Sequence, residues 1–470
     1  MNKITGVLNL ERSKHLLNRA AYNVNHQNVT EFEGLDIDYA LDRLFEEESR
    51  PMYGGSEAAG QEMQIFEWWV RQNIGGHPAA IGRLASFIFT LLPAKLAESH
   101  AAVASAWLEF LNWAAYASYK DVIKVLPLQN NMNRRLNLNN PNENFGREVL
   151  ELFTLGTGGQ VSKTDYVNYT QGDVISTSKV FSGYFYNHQP VRFSPQGWIN
   201  AVALDGDHNK EPKPFSDRFG SVTIDGVQDL PDYENMTAQA IELDQWVEMV
   251  FAHPAMGELI IEKLLRFYAS DAFPLEVRDH LIQIWKDNNF LFEPVLRELF
   301  SLEWFYSDDV VGDRVQAPFD MFMKCVNFYE ASFNATDWLL QHETRFHDCG
   351  QPFMHPQEIA GDAPNYQAPK YTLLWIQHGL LQYRYKHFSD MVSERGGDVL
   401  LSLVGDLGFD DACQLVFDYC LPIDPSDEDK LVFKSEALGT GSASHWNDDK
   451  RNILNRLAVS IYRSANSQMH

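Results

Sequence analysis

Segments whose apolar residues recur at the spacing of an α-helix dominate this sequence and constrain its fold more than any other feature. They occur from near the first residues to the last, and examples are "LDIDYALDRLFEEE", "GELIIEKLLRFYASD", "LEVRDHLIQIWKDN" and "RNILNRLAVSIYRSA". A helix with one apolar face is stable when that face packs against other elements. The pattern therefore predicts a mostly α, multi-helical single body.

The stretch from about residue 156 to 232 interrupts the helical pattern. It is rich in Gly, Asn, Asp and Pro, and its alternation together with the Asp225-Gly226 pair predicts one or two short hairpins. We expect a helical core domain over residues 1–330 that carries this irregular insertion, with a C-terminal helical lobe over residues 331–470 packed on it. Long insertions of this kind often carry function.

Charge and composition exclude several classes of partner. The 470 residues are 45% hydrophobic, which is typical of a folded globular protein, and the formal net charge is −26. Nucleic-acid binding depends on cationic side chains that displace counterions, so this balance argues against a nucleic-acid partner. Anionic membrane surfaces are disfavoured for the same reason.

One segment has the length of a membrane span. Residues 101–119, "AAVASAWLEFLNWAAYASY", contain Glu109 and Asn112 and are rich in Ala rather than Leu or Ile. These features favour a buried helix, so we expect no membrane span. The first residues lack a signal-peptide pattern, which favours a cytoplasmic location.

The string "NENFGREVLELFTLG", residues 142–156, predicts a helix with defined ends. Asn142 is suited to the N-cap and Gly156 to the stop after the last apolar residue. Glu143, Arg147 and Glu151 recur every four residues on the polar face and predict a charge ladder.

Glu148 is different because it projects into the apolar arc of that helix. A buried carboxylate must be paired, hydrogen-bonded or protonated. One interpretation is a structural pair with an arginine or an amide on a neighbouring helix. A second is a general acid/base or a metal ligand with a perturbed pKa, and a third places the side chain at the solvent edge.

This string also resembles the signature of the bacterial DUF 1800 family (domain of unknown function 1800). Matches in the same order extend over most of the chain, including "HLLNRAAY" from His15, "DHNKEPKPF" from Asp207 and "EKLLRFYASD" from Glu262. The resemblance implies the family's helical scaffold, without an established reaction. Members are often encoded beside sulfatase- or alkaline-phosphatase-like proteins, which implies a protein partner of that kind and an association with the envelope.

The chain is a divergent member by this resemblance. Where the family has a Trp-His-x-His-Phe string, the sequence reads "FIFTLL" at Phe87–Leu92, and the family's His-Asp becomes His208-Asn209. A His pair is a plausible metal or acid/base element. Its loss puts a shared catalytic activity in doubt.

The irregular insertion contains weak candidates for metal ligands. Asp205, Asp207 and His208 in "LDGDHNK" have suitable donor atoms, and Asp173 or His188 could complete a set. The spacing matches no standard metal loop, and a polar turn rich in Asp and Gly explains it equally well. The sequence identifies no cofactor.

Four further residues are candidates for binding. His15 and Arg19 are four residues apart on a predicted helix and could bind an anion, although packing of one helix face on another explains them as well. Arg147 belongs to the signature string, and Lys213 lies in "DHNKEPKPF".

Two functions follow as hypotheses. The first is a non-catalytic binding or assembly protein that is a partner of an envelope or secreted enzyme. The second is a hydrolase-like enzyme acting on carbohydrate or ester substrates, with or without a metal, that gathers Glu148, Glu151, Asp173 and His208 around one cleft. The missing His pair favours the first.

Overall fold

A computed structural model describes residues 1–46, 50, 52–54, 62–94, 101–136, 138, 141–185, 202–203, 208–226, 238–332, 345–351, 371–377 and 379–469. The fold of this part is predominantly helical, which confirms the predicted class. In chain order the helices are α1 (Leu10–Ala20), α2 (His26–Phe32), α3 (Ile37–Leu44), α4 (Glu62–Arg71), α5 (Ile81–Leu91), α6 (Ala101–Ala114), α7 (Tyr119–Val125), α8 (Asn130–Leu136), α9 (Glu143–Glu151), α10 (Gln171–Val180), α11 (Ala238–Phe251), α12 (Glu258–Tyr268), α13 (Leu275–Asp287), α14 (Phe292–Ser301), α15 (Pro318–Phe328), α16 (Arg345–Asp348), α17 (Leu380–Val404), α18 (Phe409–Cys420), α19 (Asp427–Leu438) and α20 (Trp446–Tyr462).

Two short antiparallel strand pairs accompany the helices in the described residues. They are β1 (Tyr184–Phe185) with β2 (Val202–Ala203), and β3 (Lys213–Pro214) with β4 (Thr223–Ile224). The chain turns from β3 to β4 through a 3₁₀ turn that ends at Gly220, whose φ of 68° is left-handed. The pair β3 and β4 confirms a predicted short hairpin. Its turn contains Gly220, whereas Asp225 and Gly226 follow β4.

The predicted insertion is less irregular than its composition indicates. Helix α10 lies within it, and the Thr170 and Asp173 side chains form a capping box at its first turn. Capping by Thr and Asp explains why a segment with few apolar residues is helical here.

Helix α6 is buried, as its Ala-rich sequence predicts. Trp107 is 1% exposed and Phe110 is fully buried, while the Glu109 carboxylate accepts a hydrogen bond from the backbone N–H of Tyr53 at 2.8 Å. Among the described helices, none combines the length and the apolar character that a membrane crossing requires.

Most of the buried apolar side chains in the described residues form one large core that includes residues of the first helices and of the last, and Ala317, Tyr371 and Trp375 form a small separate cluster. The large core contains Leu16 of α1, Leu264 of α12, Phe388 of α17 and Ile461 of α20. Helix α17 packs along α20 and also contacts α15. The division of the chain at residue 330 stays a prediction.

A buried ion pair joins α5 to α15 inside this core. Arg83 Nη2 lies 3.0 Å from Asp320 Oδ2, and the two side chains are 1% and 9% exposed. The Arg83 guanidinium also lies over the ring of Tyr22, 5.3 Å from its centroid. The core is therefore held partly by charge, not by apolar contact alone.

Candidate functional site

The signature helix α9 begins as its sequence predicts and ends earlier. The Asn142 side chain accepts from the Asn144 N–H at 3.0 Å, which makes it the N-cap. The helix ends at Glu151 rather than at Leu155, because the N–H groups of Leu155 and Gly156 both donate to the Leu150 carbonyl, at 2.9 and 3.0 Å. Gly156 has a φ of 70°.

The backbones of α9 and α10 approach each other closely at Gly146, which has no side chain to separate them. A Cβ at Gly146 would lie 2.5 Å from the Val174 carbonyl oxygen and 3.0 Å from the Ser178 nitrogen. Below 3.0 Å from a backbone atom there is no room for a side chain, so the two helices would have to separate. Beside the crossing, the rings of Phe145 and Phe181 meet edge to face with centroids 4.9 Å apart.

The polar face of α9 bonds to the start of α10 instead of forming a ladder within α9. Gln171 accepts from Arg147 Nη2 at 2.6 Å and donates to Glu143 at 2.7 Å. The Tyr169 hydroxyl donates to Glu151 at 3.0 Å. Burial, with the Glu151 charge next, raises the pKa of Tyr169, so the phenol remains a donor. The expected ladder is wrong because the neighbouring element supplies better-placed partners.

Glu148 lies at the edge of the buried face of α9. It is half-buried, whereas Val149 and Leu150 are fully buried. The carboxylate is therefore not enclosed in the apolar arc as expected, because that face is centred on the crossing with α10. Its proposed catalytic or pairing role stays a prediction.

Asp173 is fully buried and its carboxylate is saturated by hydrogen bonds. One oxygen accepts from the N–H and the hydroxyl of Thr170 at 2.7 and 2.8 Å and from the Ser216 hydroxyl at 2.8 Å. The other accepts from the Ser216 N–H at 2.7 Å. Asp173 thus fastens the segment after β3 to the first turn of α10.

His208, Lys213 and Glu242 form a second buried network, with side chains that are 0% exposed. One Glu242 oxygen lies 2.9 Å from His208 Nε2 and 2.7 Å from Lys213 Nζ. Lys213 also donates to the carbonyls of Asn209 and Glu211 at 2.6 and 2.9 Å, which engages its three N–H donors.

The other ring nitrogen of His208 is also engaged. Nδ1 lies 3.0 Å from the Ser182 carbonyl oxygen, and the Ser182 hydroxyl accepts from the Asn209 N–H at 2.9 Å. Ser182 follows the last residue of α10, Val180, by two positions. Asp173 is therefore held at the first turn of α10, and His208 is held at Ser182, just beyond the last turn.

His208 and Lys213 could be identified as candidates from the sequence, but Glu242, the residue that contacts both, could not. Glu242 lies in "AIELDQWVEMVFAH", where the helical pattern predicts an exposed position on the polar face of an amphipathic helix. Its burial depends on how α11 packs, and the mismatch between Glu242 and its apolar neighbours Ile241 and Leu243 is the only signal in the sequence.

The remaining candidates are distributed elsewhere. His15 and Arg19 of α1 are 6% and 0% exposed. Arg19 donates to the Val310 carbonyl at 3.0 Å, and the centroids of the His15 and Phe305 rings are 4.6 Å apart.

Asp205, Asp207 and His188 lie outside the described residues. Within the described part of the chain, no group of three His, Cys, Asp or Glu side chains is placed to hold a metal ion.

This geometry defines a class of protein: a multi-helical body whose insertion is fastened by buried hydrogen-bond and ion-pair networks. The chain belongs to the family described as "Protein of unknown function (DUF1800)", whose model matches residues 15–468. No curated protein and no solved structure matches it.

The crossing at Gly146 generates a first prediction. In the variant Gly146→Ala, the new methyl group meets the Val174 carbonyl, and we expect the free energy of unfolding in urea to fall by about 1–3 kcal/mol through overpacking. Gly172→Ala is the matched control in the same helix pair, since its Cβ would meet only Thr170 Oγ1 at 3.5 Å. Equal losses for the two variants would show that the crossing is not tight.

The buried network generates a second prediction. Lys213→Met leaves the Glu242 carboxylate without its ammonium partner, and we expect a loss of about 3–5 kcal/mol in urea denaturation. The double variant Lys213→Met/Glu242→Leu removes both charges and should recover part of that loss. A single variant as stable as the parent chain would mean that the pair carries no stability.

Proposed function

We propose that this chain is a non-catalytic binding or assembly protein that is a partner of an envelope or secreted enzyme and retains the helical scaffold of its family. A sulfatase- or alkaline-phosphatase-like protein, the kind beside which members of the family are often encoded, is the first candidate for that partner. The proposal extends the family assignment with an argument about how the polar side chains are used.

The observation that carries the proposal is the saturation of the polar groups in the insertion. Asp173 accepts four hydrogen bonds, and both ring nitrogens of His208 have oxygen partners. A general acid or base needs a free atom within hydrogen-bond reach of its substrate. Here the hydrogen-bonding capacity is used to hold residues 208–216 against α10 and α11.

The hydrolase alternative needs Glu148, Glu151, Asp173 and His208 around one cleft. The placement of Asp173 and His208 at opposite ends of α10 argues against such a cleft, since both side chains would have to reach the same reacting bond. Glu151 is occupied by the Tyr169 hydroxyl.

The residues that stand where the family has its His pair also argue against the hydrolase. In this chain the corresponding stretch is apolar and inside the core: Phe87 and Ile88 are fully buried, and the Phe87 ring packs edge to face on that of Phe292 with centroids 5.5 Å apart. Replacement of imidazoles by packed rings and aliphatic chains serves stability rather than catalysis.

Two measurements test the proposal together. Co-expression of the chain with a sulfatase- or alkaline-phosphatase-like protein from the same organism should give a complex that co-elutes in size-exclusion chromatography. Absence of a complex would count against that partner.

The second measurement is turnover of p-nitrophenyl acetate and p-nitrophenyl glycosides by the purified chain. We expect no turnover above that of Glu148→Gln. Hydrolysis that Glu148→Gln abolishes, at an unchanged melting temperature, would overturn the proposal in favour of the hydrolase.

A further inference from the structure

Helices α19 and α20 form a hairpin with an open groove along one of its faces. The groove has a volume of about 540 Å³, which lies in the range of clefts that bind other molecules. On the α19 side it is lined by Asp429, Val432, Phe433 and Glu436. The last three follow the first by three, four and seven residues, so all four lie on one face of the helix.

The floor of the groove is apolar and only partly covered. Phe433 is 3% exposed, whereas Val432 is 49% exposed, and Val459 on the α20 side is half-buried. Helices cover such an apolar stripe by packing against further helices. The exposure of Val432 shows that no element of the described chain closes the groove at this position.

The two sides of the groove have opposite charge. Asp429 and Glu436 lie on the α19 side, and Arg456 and Arg463 lie on the α20 side. The two residues of each pair are seven positions apart, which is roughly 10 Å along a helix. The charges therefore recur at the same interval on both sides.

Hydrogen bonds show which of these charged residues lie level with each other. Arg456 Nε donates to the carbonyl of the residue after Glu436, at 2.7 Å. Asn466, three residues after Arg463, donates to Asp429 at 3.4 Å. Glu436 is thus level with Arg456 at one end of the groove, and Asp429 is close to the level of Arg463 at the other.

Among the described residues, no ion pair crosses the groove. Glu436 accepts from the Ser460 hydroxyl, and Arg463 Nε donates to a serine hydroxyl of α17 at 3.3 Å. Arg456 Nη2 binds Asp449 of its own helix at 3.3 Å. Arg456 Nη1 and both terminal nitrogens of Arg463 therefore remain for carboxylates from outside the hairpin.

We propose that a second copy of this chain fills the groove, so that two α19–α20 hairpins form an antiparallel four-helix bundle. The twofold axis runs parallel to the groove. Rotation about it places α19 of one copy over α20 of the other and leaves each position along the axis unchanged. Glu436 then meets the partner subunit's Arg456, and Asp429 meets the partner subunit's Arg463.

The pattern of charges selects this axis over its alternative. A twofold axis across the groove would place α19 over α19 and set carboxylate against carboxylate. Like charges opposite each other in an interface disfavour the complex. The axis parallel to the groove pairs every carboxylate of the groove with a guanidinium.

Charge also favours a second copy as the occupant. The chain has a formal net charge of −26, so two copies repel each other over most of their surfaces. The groove has two carboxylates and two guanidinium groups, and its formal charge is zero. Both members of each intersubunit ion pair lie on the same face, as a self-complementary interface requires. The proposal is independent of the proposed enzyme partner.

Sedimentation equilibrium of the full chain over the micromolar range tests the proposal at about 0.15 M salt, where repulsion beyond about 8 Å is screened. A contact between two helix hairpins is small for a permanent dimer. We therefore expect a reversible rise from the mass of one chain to that of two. A monomer at every concentration would overturn the proposal.

The variant Val432→Glu tests whether the groove is the interface. It brings two carboxylates into the apolar centre of the bundle, and we expect dimerisation to weaken by about tenfold or more. Val161→Glu is the matched control, since Val161 is 62% exposed and lies outside the groove. Dimerisation of Val432→Glu as strong as that of the control would refute the assignment.

Two charge variants test the symmetry of the contact. In Glu436→Lys or Arg456→Glu alone, like charges face each other across the twofold axis, so each variant should dimerise about tenfold more weakly than the unmodified chain. An equimolar mixture pairs the new ammonium with the new carboxylate and the original Glu436 with the original Arg456. We expect the mixture to recover dimerisation.

This recovery distinguishes the interface from a folding defect, because two misfolded variants would not restore each other. Circular dichroism should give both variants the helical signal of the unmodified chain. A mixture that dimerises no better than its components would overturn the proposed pairing.

Discussion

The close approach of α9 and α10 at Gly146 is the contact on which the arrangement of the insertion depends. Because a backbone atom of α10 occupies the space where a side chain of α9 would lie, the polar face of α9 is brought against residues 169–171. The same helix then positions Asp173 at one end and Ser182 at the other. Trp246 Nε1 of α11 donates to Thr177 Oγ1 at 3.0 Å. This hydrogen bond fixes the position of α11 along α10. In this chain, the string at residues 142–156 serves to pack two helices closely.

Buried charged side chains in this protein are compensated in two different ways. Glu242 is shared between Lys213 and His208, and Asp320 balances Arg83. Removing one member of such a pair costs more than the pair contributes in net stability. These networks therefore determine which elements pack together more than they raise the stability of the fold. Lys14 and Lys324 differ, because helix-end carbonyls are their bonded partners.

Much of the fold could be predicted from the sequence because apolar periodicity, the Asn142 cap and the Ala-rich segment of α6 act locally. The rest depends on tertiary contacts. Nothing in the "NENFGREVLE" string shows that Gln171 will accept from Arg147, and nothing in α11 shows that Glu242 will be buried between a lysine and a histidine. The end of α9 was misplaced for a similar reason, since the Leu150 carbonyl takes two N–H donors from the residues that follow. Site geometry here is set by packing between segments that are distant in sequence.

Native-state hydrogen exchange at the amides of Leu150 in α9 and Ser178 in α10 tests most directly whether the signature is structural. Segments that open to bind or turn over ligands exchange at low free energy, whereas core elements exchange only through global unfolding. We predict that both amides belong to the slowest class, with an opening free energy equal to that obtained from urea denaturation. Exchange through local opening several kcal/mol below the global value would contradict the account and restore α9 as a mobile functional element.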